Sequence, residues 1–230
     1  MDSTSEANAG TLDVISDAIC PWCWIGKRNL DAALDMLAEE GLQFRVRFRP
    51  FQLNPEMPVE GVDRREYRSA KFGSWEKSQE LDHRVADAGR ISGLAFRHDL
   101  MARTPNTLEA HRLIRLAGAD DVQREVAEAI FQAYFQQGAD IGDTTTLAAL
   151  GTAAGMSAES LSAFSAGDAG RHEVLAEDEG YRRAGISGVP SFVLDRHLLF
   201  SGAMPPEHIA DGLRRAVAIL RARATEAAEA

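Results

Sequence analysis

From Gln43 to Phe51 (QFRVRFRPF) apolar and basic residues alternate strictly, with Phe44, Val46 and Phe48 on one side and Arg45, Arg47 and Arg49 on the other. A period of two is that of a strand with one buried face. Upstream, Leu12 to Asp17 (LDVISD) mixes apolar β-branched residues with acids and predicts a shorter strand, ended by Cys20-Pro21-Trp22-Cys23. Between the two, Leu30, Ala33, Leu34 and Leu37 keep helical spacing from Trp24 to Leu37, and Gly41 stands where a helix stop is expected. The chain therefore opens β-α-β, and strands joined this way are expected to lie parallel through a right-handed crossover.

After Pro50 the pattern changes. Asn54-Pro55 and Met57-Pro58 mark a loop, and from about Asp63 to Gly170 strand signals nearly vanish. Helices are predicted over 75–88, 106–116, 122–135, 145–153 and 158–164, with breaks at Gly93, Gly118, Gly138, Gly142 and Gly155 and an N-cap at Asp143. A further helix over 172–184 leads into Gly185-Ile186-Ser187-Gly188-Val189-Pro190. Two short apolar runs, Ser191 to Leu194 and Leu198 to Ser201, then flank Asp195-Arg196 as a hairpin would. A last helix from Pro206 to about Arg223 carries Ile209, Leu213, Val217 and Leu220 on one stripe. The organisation read from this is α/β: residues 11–51 and 171–225 form one discontinuous domain, and 52–170 are a helical insertion. Residues 1–10, small and polar, read as a disordered tail.

Composition narrows the partners. A net charge of −10, with Lys and Arg interspersed among the acids, offers no basic stripe for a nucleic-acid backbone. The first ten residues have neither the basic start nor the apolar core of a secretory signal, and no apolar run approaches the ~18 residues of a bilayer span. A cytoplasmic protein without nucleic-acid or membrane partners is expected. No repeat and no interface motif fixes the oligomeric state.

The chain has two cysteines, Cys20 and Cys23. In a reducing compartment such a pair is catalytic or metal-binding more often than a structural staple. A zinc site needs two more ligands, yet there is no other cysteine and the six histidines show no paired spacing, so no metal is expected. A structural disulfide closing so small a loop stabilises little. Two inert buried thiols are the remaining bland reading. The strand-to-helix junction favours chemistry instead. With Cys20 at the N-cap, the free N–H groups of the first turn and the helix dipole favour its thiolate, and Pro21 suits the first helical position. Cys23, one turn in, can reach Cys20 from the buried side. Cys20 is then the nucleophile, expected to be partly exposed, and Cys23 the resolving thiol.

Val189-Pro190 is the second element. A proline entering an apolar strand belongs at its start or edge, and a cis bond is one way to accommodate it. Beside the cysteines it would leave the Val189 backbone free to pair with an extended substrate.

The segments SDAICPWCWIGKRNL, FRPFQLNPEMP, PNTLEAHRL and GISGVPSFVLD resemble the DsbA-like branch of the thioredoxin superfamily. The resemblance is greatest to its cytoplasmic FrnE-like members, related to 2-hydroxychromene-2-carboxylate isomerases and kappa-class glutathione transferases. It implies a thioredoxin fold interrupted by a helical lid, a cis bond before Pro190, and a cleft between lid and motif with Asn54, Pro55, Asn106 and Thr107 as substrate-binding candidates. Asn54-Pro55 also reads as an ordinary turn, and Asn106 as an ordinary helix cap after Pro105. The isomerases and transferases carry serine where this chain has Cys20, so cysteine favours redox exchange. Three features of the wider family are missing. Val14 stands where thioredoxins resemble one another in carrying a buried acid, leaving water or Asp17 as proton acceptor for Cys23. No histidine separates the cysteines, and the second cysteine pair of some FrnE-like proteins is absent.

The expected function is a thiol–disulfide oxidoreductase acting on protein disulfides or dithiols, or on small thiols. Pro21, Trp22, Val189 and Pro190 support the Cys20/Cys23 pair, which serves as a redox-active disulfide without any bound cofactor. A glutathione-dependent isomerase or transferase using Cys20 to hold glutathione is the alternative, with glutathione as co-substrate, and a redox-regulated chaperone is a third. Phe72, Trp75, Phe131, Tyr134 and Phe135 are the aromatic candidates to line the lid side of the cleft.

Overall fold

A computed structural model describes residues 7–229 of the chain. Strand β1 (Ala7–Ser16), helix α1 (Pro21–Glu39) and strand β2 (Leu42–Pro50) form the opening unit, and β1 and β2 pair in parallel, Val14 opposite Phe48. Strands β5 (Ser191–Leu194) and β6 (His197–Ser201) make the hairpin, and β5 runs antiparallel to β1. Asp195 and Arg196 both take positive φ, 43° and 73°, as a tight two-residue connection matched to strand twist requires. Among the described residues the main sheet has the order β2-β1-β5-β6.

Alternation along β1 separates the layers. Leu12 and Val14 pack with Leu30, Ala33 and Leu37 of α1 and with Ile209, Leu213 and Val217 of helix α9 (Pro206–Glu229), all buried. Ile15 points the other way, to Phe51, Ile186 and Tyr181. The strand begins earlier than the pattern suggests. Ala7 and Asn8, expected in a disordered tail, pair with Leu42 and Gln43, and the ladder is interrupted between Asn8 and Thr11, where Gly10 has a φ of 133°. Backbone pairing alone extends the strand through a stretch without large apolar residues. The remainder of the expected tail, residues 1–6, lies outside the described residues.

The segment between β2 and β5 is helical: α2 (Arg64–Phe72), α3 (Trp75–Ile91), α4 (Leu108–Leu116), α5 (Gln123–Gln137), α6 (Thr144–Ala153), α7 (Ala158–Ser165) and α8 (Arg171–Arg183). Asp143 caps α6 by accepting from the Thr146 N–H. Helix α2 and the antiparallel bridge of β3 (Val62–Asp63) to β4 (Arg103–Thr104) carry no apolar periodicity and do not show in the sequence pattern. Trp24 of α1 stacks on Phe131 and Phe135 of α5, joining the insertion to the cysteine helix. No described helix is long and apolar enough to cross a membrane.

Candidate active site around Cys20 and Cys23

Cys20 is the N-cap of α1, in extended conformation with φ −90° and ψ 111°, and Pro21 opens the helix. The turn is closed by the Cys20 N–H on the Asp17 carbonyl and the Cys23 N–H on the Cys20 carbonyl, each 3.0 Å. Both thiols are free. The Cys20 Sγ donates to the Val189 carbonyl at 3.7 Å, bringing the two ends of the fold together, and the Val189–Pro190 bond is cis. Close approach here depends on Gly26: a Cβ at that position would lie 2.8 Å from Pro190 Cγ.

One expectation needs correction. Cys20 is not partly exposed: it retains 4% of its accessible surface, against 1% for Cys23. The Val189 carbonyl lies against the sulfur, while Trp22, at 42% exposure, occupies the outer position. Burial pushes the Cys23 thiol well above its ordinary value. The hydrogen bond with Cys20 and that residue's charge push the same way, whereas a backbone hydrogen bond from Asp17 opposes them. Reduced Cys23 is therefore held in its protonated form.

A cleft of about 420 Å³ opens beside Cys20, walled by Ile19, Pro21 and Trp22 on one side and by Tyr67, Phe72 and Phe135 on the insertion side. Arg64, Arg68, Lys71 and Arg84 also line it, with Asp82 as the facing acid. Asp82 is buried and takes Arg64 at 2.7 Å on one oxygen and Arg68 at 2.7 Å on the other. This cluster replaces apolar packing at the α2–α3 contact. Burial is also the main reason the pKa of His98 falls to about 4, and it raises Tyr134 above its ordinary range.

The family-implied binding residues divide. Asn54 lines the cleft; its Oδ1 accepts from the Tyr67 hydroxyl, and its buried Nδ2 has no hydrogen-bond partner among the described residues. Pro55 sits on an exposed turn closed by the Met57 N–H on the Asn54 carbonyl. Asn106 is used structurally: its Nδ2 donates to the Met57 carbonyl at 2.7 Å and its Oδ1 accepts from the Leu108 N–H at 2.9 Å. Thr107 is buried, ahead of α4. The cleft wall does not include Pro55, Asn106 or Thr107. Of the aromatic candidates, Phe72, Tyr134 and Phe135 line it, Phe131 packs in the core against Trp24, and Trp75 faces a separate hollow with His83.

Several contacts near the site escape a reading of the sequence alone. Gly26 looks like any helical glycine until Pro190 is placed against it. Lys27, 5% exposed, pairs with Asp31 and with Glu128 of α5; Glu128 also accepts from the Trp24 indole at 3.2 Å. Asp17 is fully buried and meets the buried His111 of α4, Nε2 to Oδ1, at 3.3 Å.

A strand-helix-strand unit and a hairpin share one sheet, a helical insertion lies between them, and a cysteine pair at a helix start faces a cis-proline. Together these features define a thioredoxin-type architecture. The chain belongs to the DSBA-like thioredoxin domain family, whose model matches residues 11–214. It is 30% identical to a probable DsbA oxidoreductase from Streptomyces coelicolor, with a TM-score of 0.79 over 90% of this chain and 89% of that one. The Bacillus subtilis protein YwbO is 26% identical over 184 residues, 80% of this chain and 86% of that protein. The cytosolic disulfide reductase DsbM of Pseudomonas aeruginosa, solved with GSH, shares the fold at 21% identity and a TM-score of 0.61, covering 92% of this chain and 99% of that one.

Proposed function

We propose that the chain is a thiol–disulfide oxidoreductase that exchanges disulfides with protein or small-thiol substrates through Cys20 and Cys23, in a reducing compartment such as the cytoplasm. The observation that carries this reading is the 3.7 Å approach of the Cys20 sulfur to the Val189 carbonyl, with Cys23 one turn further along the same helix. Cys20, at the start of α1, is the attacking residue and acts as its thiolate. That thiolate attacks one sulfur of a substrate disulfide and releases the other as a thiolate. An extended substrate backbone pairs beside Val189 as an added strand. Cys23, once deprotonated, attacks Cys20, frees the second substrate sulfur and leaves the Cys20–Cys23 disulfide. The substrate gains two electrons and the enzyme loses two. The reverse sequence oxidises a substrate dithiol.

A glutathione-dependent reading is supported by Lys71 and Arg84 along the cleft beside Cys20, which suit the carboxylates of a small acidic thiol, Arg64 and Arg68 being held by Asp82. Cys23→Ser separates the two. The exchange mechanism predicts that Cys23→Ser accumulates covalent adducts at Cys20 with protein disulfides and loses turnover, and that Cys20→Ser forms none. Full turnover by Cys23→Ser with glutathione would favour the second reading.

A further inference from the structure

Strand β2 ends the main sheet on one side, so half of its backbone groups have no strand to bond. Two hydrogen bonds tell which half. The Phe51 N–H donates inward to the Ser16 carbonyl at 3.1 Å, whereas the Phe48 N–H donates outward to Gln123 Oε1 at 2.7 Å. Backbone direction alternates along a strand, so Arg45, Arg47 and Arg49 bond β1. The Val46 N–H and carbonyl and the Phe48 carbonyl face outward, and none of the three has a hydrogen-bond partner among the described residues.

This outer edge opens into a cleft of about 380 Å³ between β2 and the helices α4 and α5, separate from the one beside Cys20. Gln123 already holds one place along it as a peptide unit would. Its side-chain amide accepts from Phe48 through Oε1 and donates to the Ile114 carbonyl through Nε2 at 3.0 Å. We propose that the remaining edge binds an extended segment of a partner protein, with acidic and apolar residues alternating, as a strand added to β2. Docking of this kind is independent of the redox chemistry at Cys20.

From Arg45 to Pro50 the strand forms one wall of the cleft over about 17 Å, at roughly 3.3 Å per residue, which seats a segment of about five residues. Main-chain bonds to Val46 and Phe48 would hold any extended chain, and side chains on the two faces select among them. On the apolar face, Phe44 and Val46 are only partly buried against the core, so apolar side chains of an added strand have cross-strand neighbours there.

The other face is basic. Asp13 holds Arg47 and Arg49, Glu177 holds Arg49 and Arg115, and Asp31 holds Arg124. Asp121 is the remaining acid of the wall. Five arginines thus meet four acids, in a chain whose net charge is −10. The unmatched cation is Arg45, which is exposed and has no acidic partner among the described residues. An acid on the added strand supplies one. A second copy of this chain does not fit as well, because antiparallel two-fold pairing of β2 with β2 sets arginine against arginine.

Fluorescence anisotropy tests this, with the full chain and short labelled peptides free of cysteine at low ionic strength. A peptide alternating glutamate with valine is expected to bind saturably, and one alternating lysine with valine about tenfold more weakly. Arg45→Glu should weaken the glutamate peptide by about three- to tenfold, and raised salt should weaken its binding to wild type. Val46→Pro deletes an N–H that β1 does not use, and an edge strand tolerates proline where the N–H faces outward. That variant is expected to bind the glutamate peptide about tenfold more weakly while both variants keep wild-type exchange at Cys20. Should Val46→Pro fail to fold, a glutamate peptide methylated on alternate backbone nitrogens carries the test from the ligand side, with the same loss expected. A glutamate peptide that does not bind, that binds no better than the lysine peptide, or that binds equally well after all these changes overturns the docking site. Sedimentation in which wild type dimerises through this edge and Val46→Pro does not would make a second copy the occupant and overturn the acidic-segment assignment. The peptides carry no thiol, so each of these outcomes leaves the redox reading standing.

Discussion

Gly26→Ala is a one-methyl change that tests how the site is held. The added Cβ would lie 2.8 Å from Pro190 Cγ, 3.5 Å from Pro190 Cβ and 3.6 Å from Phe192 Cζ. Carbon atoms in contact prefer about 3.5–4.0 Å, so Pro190 must retreat by roughly 0.7–1.2 Å, or α1 must move. Overpacking of this kind costs about 1–3 kcal/mol, and alanine returns about 0.5–1 kcal/mol over glycine within a helix. The net loss is therefore at most about 2.5 kcal/mol, small enough for the variant to fold. Function is affected more, because Pro190 carries the Val189 carbonyl that meets Cys20 at 3.7 Å. A misplacement near 1 Å at a reacting centre can cost about 100-fold. Single-turnover exchange with a model peptide disulfide is expected to slow by about 10–100-fold, while the urea midpoint falls only modestly. Exchange within twofold of wild type would refute the claim that the Gly26–Pro190 contact sets the reacting geometry.

Glu128→Ala removes the acid that holds Lys27, Arg28 and the Trp24 indole to α5. A stranded buried charge costs about 3–5 kcal/mol, and since Lys27 keeps Asp31 the expected loss in urea denaturation is about 2–3 kcal/mol, with Glu128→Gln losing less. His98 gives the protein an acid-sensitive element. Its pKa is about 4 in the fold against 6.5 when free, so the unfolded chain binds more protons between those values. The stability is fully present above about pH 6.5 and is lost as pH falls toward 4, to a limit of about 3 kcal/mol. Replacing His98 with Phe should flatten denaturation midpoints across that window, and an unchanged slope would contradict the assignment.

How much was legible follows the kind of signal. The alternation of Phe44, Val46 and Phe48 and the helical stripe of α1 record burial against near neighbours, so β1, α1 and β2 could be placed from them. Cys20-Pro21 could be placed because N-cap and first-turn preferences are local. Helix α2 (RREYRSAKF) could not, since its buried contact is Arg64 on Asp82 rather than an apolar stripe. The Asp17–His111 and Lys27–Glu128 pairs join residues about a hundred positions apart, and no spacing rule reaches that far. The burial of Cys20 is hidden from the sequence for the same reason. A helix start is open in isolation, and only the return of Val189 closes it.

The central claim, that Cys20 and Cys23 cycle as an internal disulfide, is tested most directly by titrating the pair in glutathione redox buffers and resolving the species by mass after acid quench. The account predicts one two-electron transition from dithiol to the Cys20–Cys23 disulfide, its ratio changing tenfold per about 30 mV, with glutathione adducts minor throughout. A stable Cys20–glutathione adduct with Cys23 still reduced, or a pair that stays reduced up to about −120 mV, would contradict it.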